Sequence, residues 1–105
     1  MTEKAITNKI LRHLNQISGV KAVKRLSNGN TNGFADITGT VLICGLGVRL
    51  EIEVKQPGET PRKLQVYRLK QAAEAGACAG WADNVQDAVD LVLNFREYHE
   101  KRLSA

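Results

Sequence analysis

The stretch that most constrains the fold of this chain is residues 48–55, where apolar and charged side chains alternate. The alternation runs through Leu50, Glu51, Ile52, Glu53, Val54 and Lys55. This is the period-two pattern of a β-strand with one apolar and one polar face. Pro57 and Gly58 follow and end the strand. Taken alone, the stretch is explained most simply as an edge strand that holds its polar face out to water.

A second strand is predicted just upstream, over residues 33–43, and residues 45–47 can connect the two strands tightly. The pair is therefore expected to form an antiparallel hairpin, with its turn centred near Gly45 or Leu46. Asp36 then falls opposite Lys55 and diagonal to Glu53, on the same face. Diagonal neighbours lie about 7–8 Å apart, so twist or a bulge would have to bring the two carboxylates together.

Two carboxylates held close together indicate a bound cation. At about 4 Å they repel by roughly 4 kcal/mol when the effective dielectric is near 20. A divalent cation removes this penalty, and carboxylate oxygens select a hard ion such as Mg²⁺ or Mn²⁺. Such an ion lowers the pKa of a bound water and stabilises charge on a phosphoryl group. Lys55, on the same face as Glu53, could orient the attacking water or neutralise the developing charge.

A resemblance to a known family rests on three parts of the sequence, which are residues 33–39, residues 51–58 and Gln65. In this order they resemble the virus-type replication–repair nuclease (VRR-NUC) domain of the PD-(D/E)xK nuclease superfamily. The resemblance runs from about residue 3 to residue 92. Ala35 departs from it, since the family usually has proline before the aspartate. Because proline restricts the backbone, the departure bears on the rigidity of the loop more than on catalysis.

The resemblance implies a restriction-endonuclease-like α/β fold, in which helices flank a mixed β-sheet. It implies that the catalytic residues are Asp36, Glu53, Lys55, Glu3 and Gln65. It also suggests that the backbone carbonyl of Val54 joins Asp36 and Glu53 as a ligand of Mg²⁺ or Mn²⁺. Without the family, Glu3 would simply favour the dipole of a first helix. Glu51 shares the polar face but lies outside the motif.

The remaining pattern predicts the element order helix, strand, hairpin, helix, strand, helix. The second helix is expected to begin at Thr60, with Val66 and Leu69 facing inward and Gln65 on the same side. Residues 77–82 are predicted to form an internal strand, parallel to the Glu53 strand because a helical crossover joins the two. We expect residues 1–105 to form one domain, with residues 96–105 a frayed or extended helical tail.

The composition indicates a basic protein without a membrane segment. Lys and Arg number 15 against 11 Asp and Glu, giving a net charge of +4 over 105 residues, which favours a polyanionic partner. No apolar run approaches the roughly 20 residues that span a bilayer, so we expect no membrane partner. The N-terminus lacks the apolar run of a signal peptide, so a cytoplasmic location is expected, or the host cytoplasm for a viral protein.

Together these patterns predict a metal-dependent, structure-specific endodeoxyribonuclease. Stand-alone VRR-NUC domains resemble Holliday-junction resolvases, which implies branched DNA as substrate and a homodimer. The alternatives are a non-catalytic DNA-binding module of the same fold and a nuclease for flaps or single strands. Residues 42–46 carry no charge and would form either a dimer contact or core beneath a helix. The predicted DNA contacts, which a solvated basic surface would also explain, are Lys21, Lys24, Arg25, Asn28, Arg62 and Lys63.

Overall fold

The computed structural model describes residues 2–26 and 33–104, so Asn28, one of the predicted DNA contacts, lies outside the described residues. The elements in chain order are α1 (Glu3–Leu14), β1 (Val20–Lys24), β2 (Ile37–Ile43), β3 (Leu46–Val54), α2 (Lys63–Glu74), β4 (Cys78–Ala82) and α3 (Val85–Ser104). The strands form one sheet in the order β1-β2-β3-β4. β1, β2 and β3 are antiparallel, and β4 is parallel to β3. The predicted order and the mixed sheet flanked by helices are confirmed.

One face of the sheet carries the hydrophobic core. In β3, Leu50, Ile52 and Val54 are each 0% exposed, and burying one such side chain contributes about 1.5–3 kcal/mol. α1 and α3 cover this face through Ile6, Ile10, Leu14, Ala88 and Val92. α2 packs over the opposite face, near β3 and β4. The second half of β3, from Leu50 to Val54, is therefore buried on both faces, which excludes a solvent-exposed edge strand as the explanation of the alternating pattern.

The β2–β3 hairpin turns at Cys44 and Gly45, earlier in the chain than predicted. Cys44 has φ 49° and Gly45 has φ 82°, the positive values that a two-residue type I′ turn requires. With this turn, Ile37 pairs with Ile52. The predicted register is therefore wrong, because the position of the turn sets the pairing of every residue in the hairpin.

The corrected register changes the neighbours of Asp36. β2 begins at Ile37 rather than at Gly33, so Asp36 directly precedes the strand. Extending the ladder by one residue places Asp36 opposite Glu53. The expectation that Asp36 would lie opposite Lys55 is wrong. Asp36 and Glu53 are therefore direct neighbours across the hairpin and not diagonal ones, so no twist or bulge is needed to bring them together.

α2 begins at Lys63, later than the predicted start at Thr60. The side-chain Oε1 of Gln65 accepts a hydrogen bond of 2.8 Å from the backbone N–H of Arg62, which satisfies an amide that a helix N-terminus leaves without an intrahelical acceptor. Gln65 is 7% exposed, as its predicted inward position requires. Val66 is 49% exposed, so its predicted inward position is wrong.

β4 is an edge strand of the described sheet rather than the internal strand that was predicted. Its Trp81 is 42% exposed. Gly80 faces α3, and a Cβ there would lie 2.9 Å from a methyl carbon of Leu91. The small residues of this strand therefore reflect close packing against α3 and not burial between two strands.

α3 continues through the described part of the predicted tail. It spans 20 residues, Val85–Ser104, and the salt bridge of 3.0 Å between Lys101 Nζ and Glu97 Oε1 lies near its end. Residues 96–104 are therefore an extension of the last helix. Across the described residues, no helix joins the length to the apolar character that a bilayer crossing would require.

Candidate active site

The end of β3 and the residue before β2 bring Asp36 and Glu53 together. The β2–β3 ladder stops at Ile37 and Ile52, so the ladder supplies no carbonyl from β2 to the backbone N–H of Val54. The side chain of Asp36 takes that place, since its Oδ2 accepts a hydrogen bond of 2.9 Å from Val54 N. The Asp36 carboxyl group is close enough to that of Glu53 for its hydrogen bonding and charge to raise the pKa of Glu53.

Glu53 is almost completely removed from solvent. The residue is 1% exposed, and its Oε2 is buried without a hydrogen-bond partner among residues 2–26 and 33–104. Burial, and then the hydrogen bond and charge of Asp36, raise the pKa of Glu53 to about 9, although Lys55 opposes this shift. This environment favours the protonated form of Glu53 when no cation is bound.

Lys55 and Glu3 border the same two carboxyl groups. Lys55 is 9% exposed, and its backbone N–H donates to the carbonyl of Ala82 at 3.0 Å. Burial raises the pKa of Glu3, and the nearby charge of Asp36 raises it further while Lys55 lowers it. The structure thus brings four of the predicted site residues into one electrostatic cluster, which consists of Glu3, Asp36, Glu53 and Lys55.

Glu59 is a member of this neighbourhood that the sequence did not indicate. Its charge also raises the pKa of Glu3. It lies between β3 and α2, outside the motif and outside any periodic segment. In the sequence, Glu59 is marked only by its closeness to Lys55 along the chain. Closeness of this kind does not distinguish a site residue from an ordinary surface carboxylate.

The residues at this site fit a hard divalent cation. An orphaned buried oxygen such as Glu53 Oε2 is costly unless it meets a donor or a cation, and Asp36 supplies a second carboxylate beside it. Within the described part of the chain, no group of three or more His, Cys, Asp and Glu side chains is arranged to hold a metal. A cation held by Asp36 and Glu53 would complete its coordination with backbone oxygen and water, as Mg²⁺ usually does.

The other predicted residues lie around the cluster rather than in it. Gln65 uses its side-chain oxygen at the N-terminus of α2, where Arg62 and Lys63 are exposed. Lys21 and Lys24 are both exposed on β1. Because side chains alternate along a strand, they face opposite sides of the sheet, and only Lys21 shares the face of Glu53.

Arg25 occupies a different place from the other basic residues. Its Nη2 lies 2.7 and 2.8 Å from the two carboxylate oxygens of Glu51, and Arg49 pairs with the same carboxylate. Glu51 is only 3% exposed. The guanidinium of Arg25 is thus paired with Glu51 while its side chain stays 23% exposed, so its predicted contact to DNA stays a prediction.

Comparison with known proteins gives one structural match of note. No family model and no curated protein matches the chain. Among solved structures, a protein described as a VRR_NUC domain protein matches with a TM-score of 0.70 and 15% identity, covering 92% of this chain and 89% of that chain. At 15% identity this likeness shows the fold alone. The chain therefore has the fold of a VRR_NUC domain protein, with a mixed sheet between helices.

Proposed function

We propose that this protein is a metal-dependent endonuclease that hydrolyses phosphodiester bonds in branched DNA, such as a Holliday junction. The observation that carries the proposal is a buried Glu53 whose Oε2 has no hydrogen-bond partner in the described residues, next to Val54, whose N–H donates to the Asp36 carboxylate. A buried carboxyl group with an unsatisfied oxygen, beside the half-buried Asp36, serves no evident purpose in packing. The fold shared with a VRR_NUC domain protein supports the nuclease class.

Asp36, Glu53 and the backbone carbonyl of Val54 are the proposed ligands of Mg²⁺ or Mn²⁺. When bound, the ion supplies a water of lowered pKa and stabilises negative charge on the phosphoryl group. The N–H of Val54 keeps the Asp36 carboxylate oriented. Glu53 has to release its proton in order to become a ligand, because only the ionised carboxylate binds a cation well.

Lys55 is proposed to orient the attacking water or to neutralise charge that develops on the phosphate. Its ammonium also lowers the pKa of both Glu53 and Glu3, so it favours the ionised form of both carboxyl groups. Glu3 and Gln65 are proposed as supporting residues. Glu3 adds negative charge beside Asp36, and Gln65 fixes the start of α2.

The wider surface is proposed to contact the DNA backbone. Lysine and arginine side chains neutralise phosphates and release counterions. The proposed contacts are Lys21, Lys24, Arg62 and Lys63, which are exposed, and Asn28, which the structure does not describe. A symmetric homodimer would supply the two related sites that two incisions in a four-way junction require. Residues 1–105 are proposed to act as one domain in the cytoplasm, or in the host cytoplasm if the protein is viral.

Labelled DNA structures test this proposal directly. Four-way junctions, flaps, single strands and linear duplexes would each be incubated with Mg²⁺, Mn²⁺ or EDTA. Asp36→Asn keeps an oxygen that can accept from Val54 N–H but loses the charge, so it should abolish cleavage and retain both the fold and DNA binding. Asp90→Asn is the matched control, since this exposed carboxylate of α3 accepts a hydrogen bond of 2.8 Å from Gln86 on the same helix.

The outcomes separate the alternatives. Full cleavage by Asp36→Asn, or in EDTA, would falsify the metal assignment. Binding to DNA without cleavage by the unaltered protein would favour a non-catalytic DNA-binding module. Preferential cutting of flaps or single strands would keep the nuclease and replace its substrate.

A further inference from the structure

We propose that Arg25 is a positioning residue that holds Asp36 against Glu53. Asp36 lies outside the β2–β3 ladder, which ends at the pair Ile37 and Ile52. The ladder itself therefore does not fix Asp36 relative to the strand that carries Glu53. Other contacts have to do so, and most of them converge on Arg25.

Arg25 binds the carbonyls of the two peptide units on either side of the Asp36 Cα. Its backbone N–H donates to the carbonyl of Asp36 at 2.7 Å. Its side-chain Nε donates to the carbonyl of Ala35 at 2.9 Å. Ala35 has no ring to restrict its φ, so the rigidity of this segment has to come from such contacts. A shift of the segment would break both hydrogen bonds.

The same guanidinium ties this segment to β3. Nη2 of Arg25 contacts both carboxylate oxygens of Glu51, which lies on the same face of β3 as Glu53. Because Glu51 is 3% exposed, separating it from its cations would leave a buried, uncompensated charge. The ion pair therefore keeps Arg25, and with it Asp36, at a fixed distance from the Glu53 strand.

Phe34 adds a third contact from α2. The Cζ atoms of Arg25 and Arg68 lie 5.4 and 4.7 Å from the centre of its ring, within the range of cation–π attraction. The short segment 34–36 is thus held directly by Arg25 next to β1 and by Arg68 on α2, and through Arg25 it is tied to Glu51 on β3. Contacts from several elements fix the position of Asp36, as a metal ligand requires.

Arg49 provides a matched control for Arg25. It pairs with the same Glu51 carboxylate, and its side chain is 57% exposed. Among the hydrogen bonds of the described residues, it makes none to Ala35 or Asp36. Arg25→Lys and Arg49→Lys both keep a positive charge near Glu51, but a lysine at either position loses the planar fork. Only the variant at position 25 should release Asp36.

Amide hydrogen exchange measured by NMR tests the inference without requiring any activity. Val54 N–H is bonded to Asp36 Oδ2, whereas Lys55 N–H is bonded to Ala82 on the other side of the strand. In Arg25→Lys, exchange at Val54 should speed up by about tenfold or more relative to Lys55, because a local opening exposes that amide. In Arg49→Lys the ratio should be unchanged. An unchanged ratio in Arg25→Lys would overturn the inference.

Metal binding and kinetics give a second readout, and only these rest on the proposed function. Loss of a residue that orients a ligand typically costs about 10–100-fold in metal affinity or activity. Arg25→Lys should therefore weaken Mn²⁺ binding and lower kcat by that amount, with KM for DNA unchanged. A raised KM with unchanged kcat would instead make Arg25 a contact for DNA. Absence of cleavage in the unaltered protein would overturn the proposed function and leave the exchange result standing.

A second variant keeps the test decisive if Arg25→Lys does not fold, which circular dichroism would reveal. Glu51→Gln retains an oxygen that accepts from Arg25 but removes the charge that holds it. Exchange at Val54 should then increase in the same direction and by a smaller factor. A folded Glu51→Gln protein with unchanged exchange at Val54 would contradict the tie between Arg25 and β3.

Discussion

At Glu53, burial and the neighbouring Asp36 favour the protonated carboxyl group, whereas a bound cation would favour the ionised one. Both effects have one cause, which is the exclusion of water from Glu53. Without water, an ionised carboxylate is costly when it has no partner and is strongly attracted to a cation when one is bound. The site is therefore expected to exchange a proton for a metal ion. Metal affinity should accordingly rise with pH.

The protonation of Glu53 predicts a pH dependence of stability in the metal-free protein. The pKa of Glu53 is about 9 in the folded state, against 4.5 for an unperturbed glutamate. The folded protein thus binds more protons than the unfolded chain between these values, so the free energy of unfolding should fall as pH rises from about 4.5 to about 9. Thermal melting in EDTA across this range measures the effect.

Glu53→Gln isolates that contribution, because glutamine is neutral at every pH in the range. Its melting temperature should depend less on pH than that of the unaltered protein, and Glu74→Gln, an exposed position at the end of α2, should leave the dependence intact. Equal slopes for all three proteins would show that Glu53 is ionised without metal.

Lys55→Met tests the role of the buried ammonium beside the two carboxyl groups. Methionine approximates the length of the side chain and removes its charge, so the rate of cleavage should fall by roughly a hundredfold, as for a lost electrostatic donor. Mn²⁺ affinity should be little reduced, since an ammonium is not a ligand. Lys9→Met, at an exposed position of α1, is the control. Unchanged cleavage in Lys55→Met would leave Lys55 without a catalytic role.

At the level of elements, the close approach of β1 to β2 depends on one glycine. A Cβ at Gly39 would lie 1.9 Å from the carbonyl oxygen of Lys21 and 2.9 Å from the Cα of Ala22. Both are backbone atoms, which cannot move aside as the end of a side chain can. Arg25 follows β1 and Asp36 precedes β2, so the close spacing of these two strands also brings Arg25 within hydrogen-bonding distance of Ala35 and Asp36.

Gly39→Ala should therefore destabilise the protein by about 3 kcal/mol or more, the upper range for overpacking. Gly47→Ala is the matched control, since that glycine also lies in the hairpin and a Cβ there would meet nothing within 4 Å. Urea denaturation of both variants measures the difference. Similar midpoints for the two alanine variants would contradict the observed spacing of β1 and β2.

At the level of the whole molecule, the uncharged hairpin tip, residues 42–46, lies partly in the core and partly on the surface. Ile43 is 1% exposed and belongs to the core. Leu42 and Leu46 are 51% and 62% exposed. The interpretation as core thus holds for Ile43, and the dimer contact stays a prediction for the exposed leucines, which a second copy of the chain could cover.

Leu46→Glu tests the proposed homodimer. A carboxylate at the tip would be buried without a partner in such a contact, which is strongly unfavourable, so light scattering should show a dimer for the unaltered protein and a monomer for the variant. Leu26→Glu is the control, because Leu26 is 86% exposed and lies at the other end of β1 from the tip. A monomer that cuts linear duplexes as readily as junctions would end the resolvase proposal.

The sequence by itself determined the elements and their order. The alternation from Leu50 to Lys55 specifies a strand because side-chain direction repeats every two residues. The helical crossover that follows requires β4 to lie parallel to β3. The approach of Asp36 and Glu53 to one end of a hairpin was also readable, although their direct pairing was not. These features depend on residues near one another in the chain.

Only the tertiary structure decided the register, the edge position of β4 and the function of Arg25. The turn at Cys44 and Gly45 moved Asp36 opposite Glu53, although the sequence placed a glycine-rich turn slightly later. The ion pair between Arg25 and Glu51 joins residues that lie far apart in the chain, and no local pattern distinguishes such an arginine from one on the surface. Burial and partner choice depend on which elements meet in space, and that is decided by packing of the whole fold.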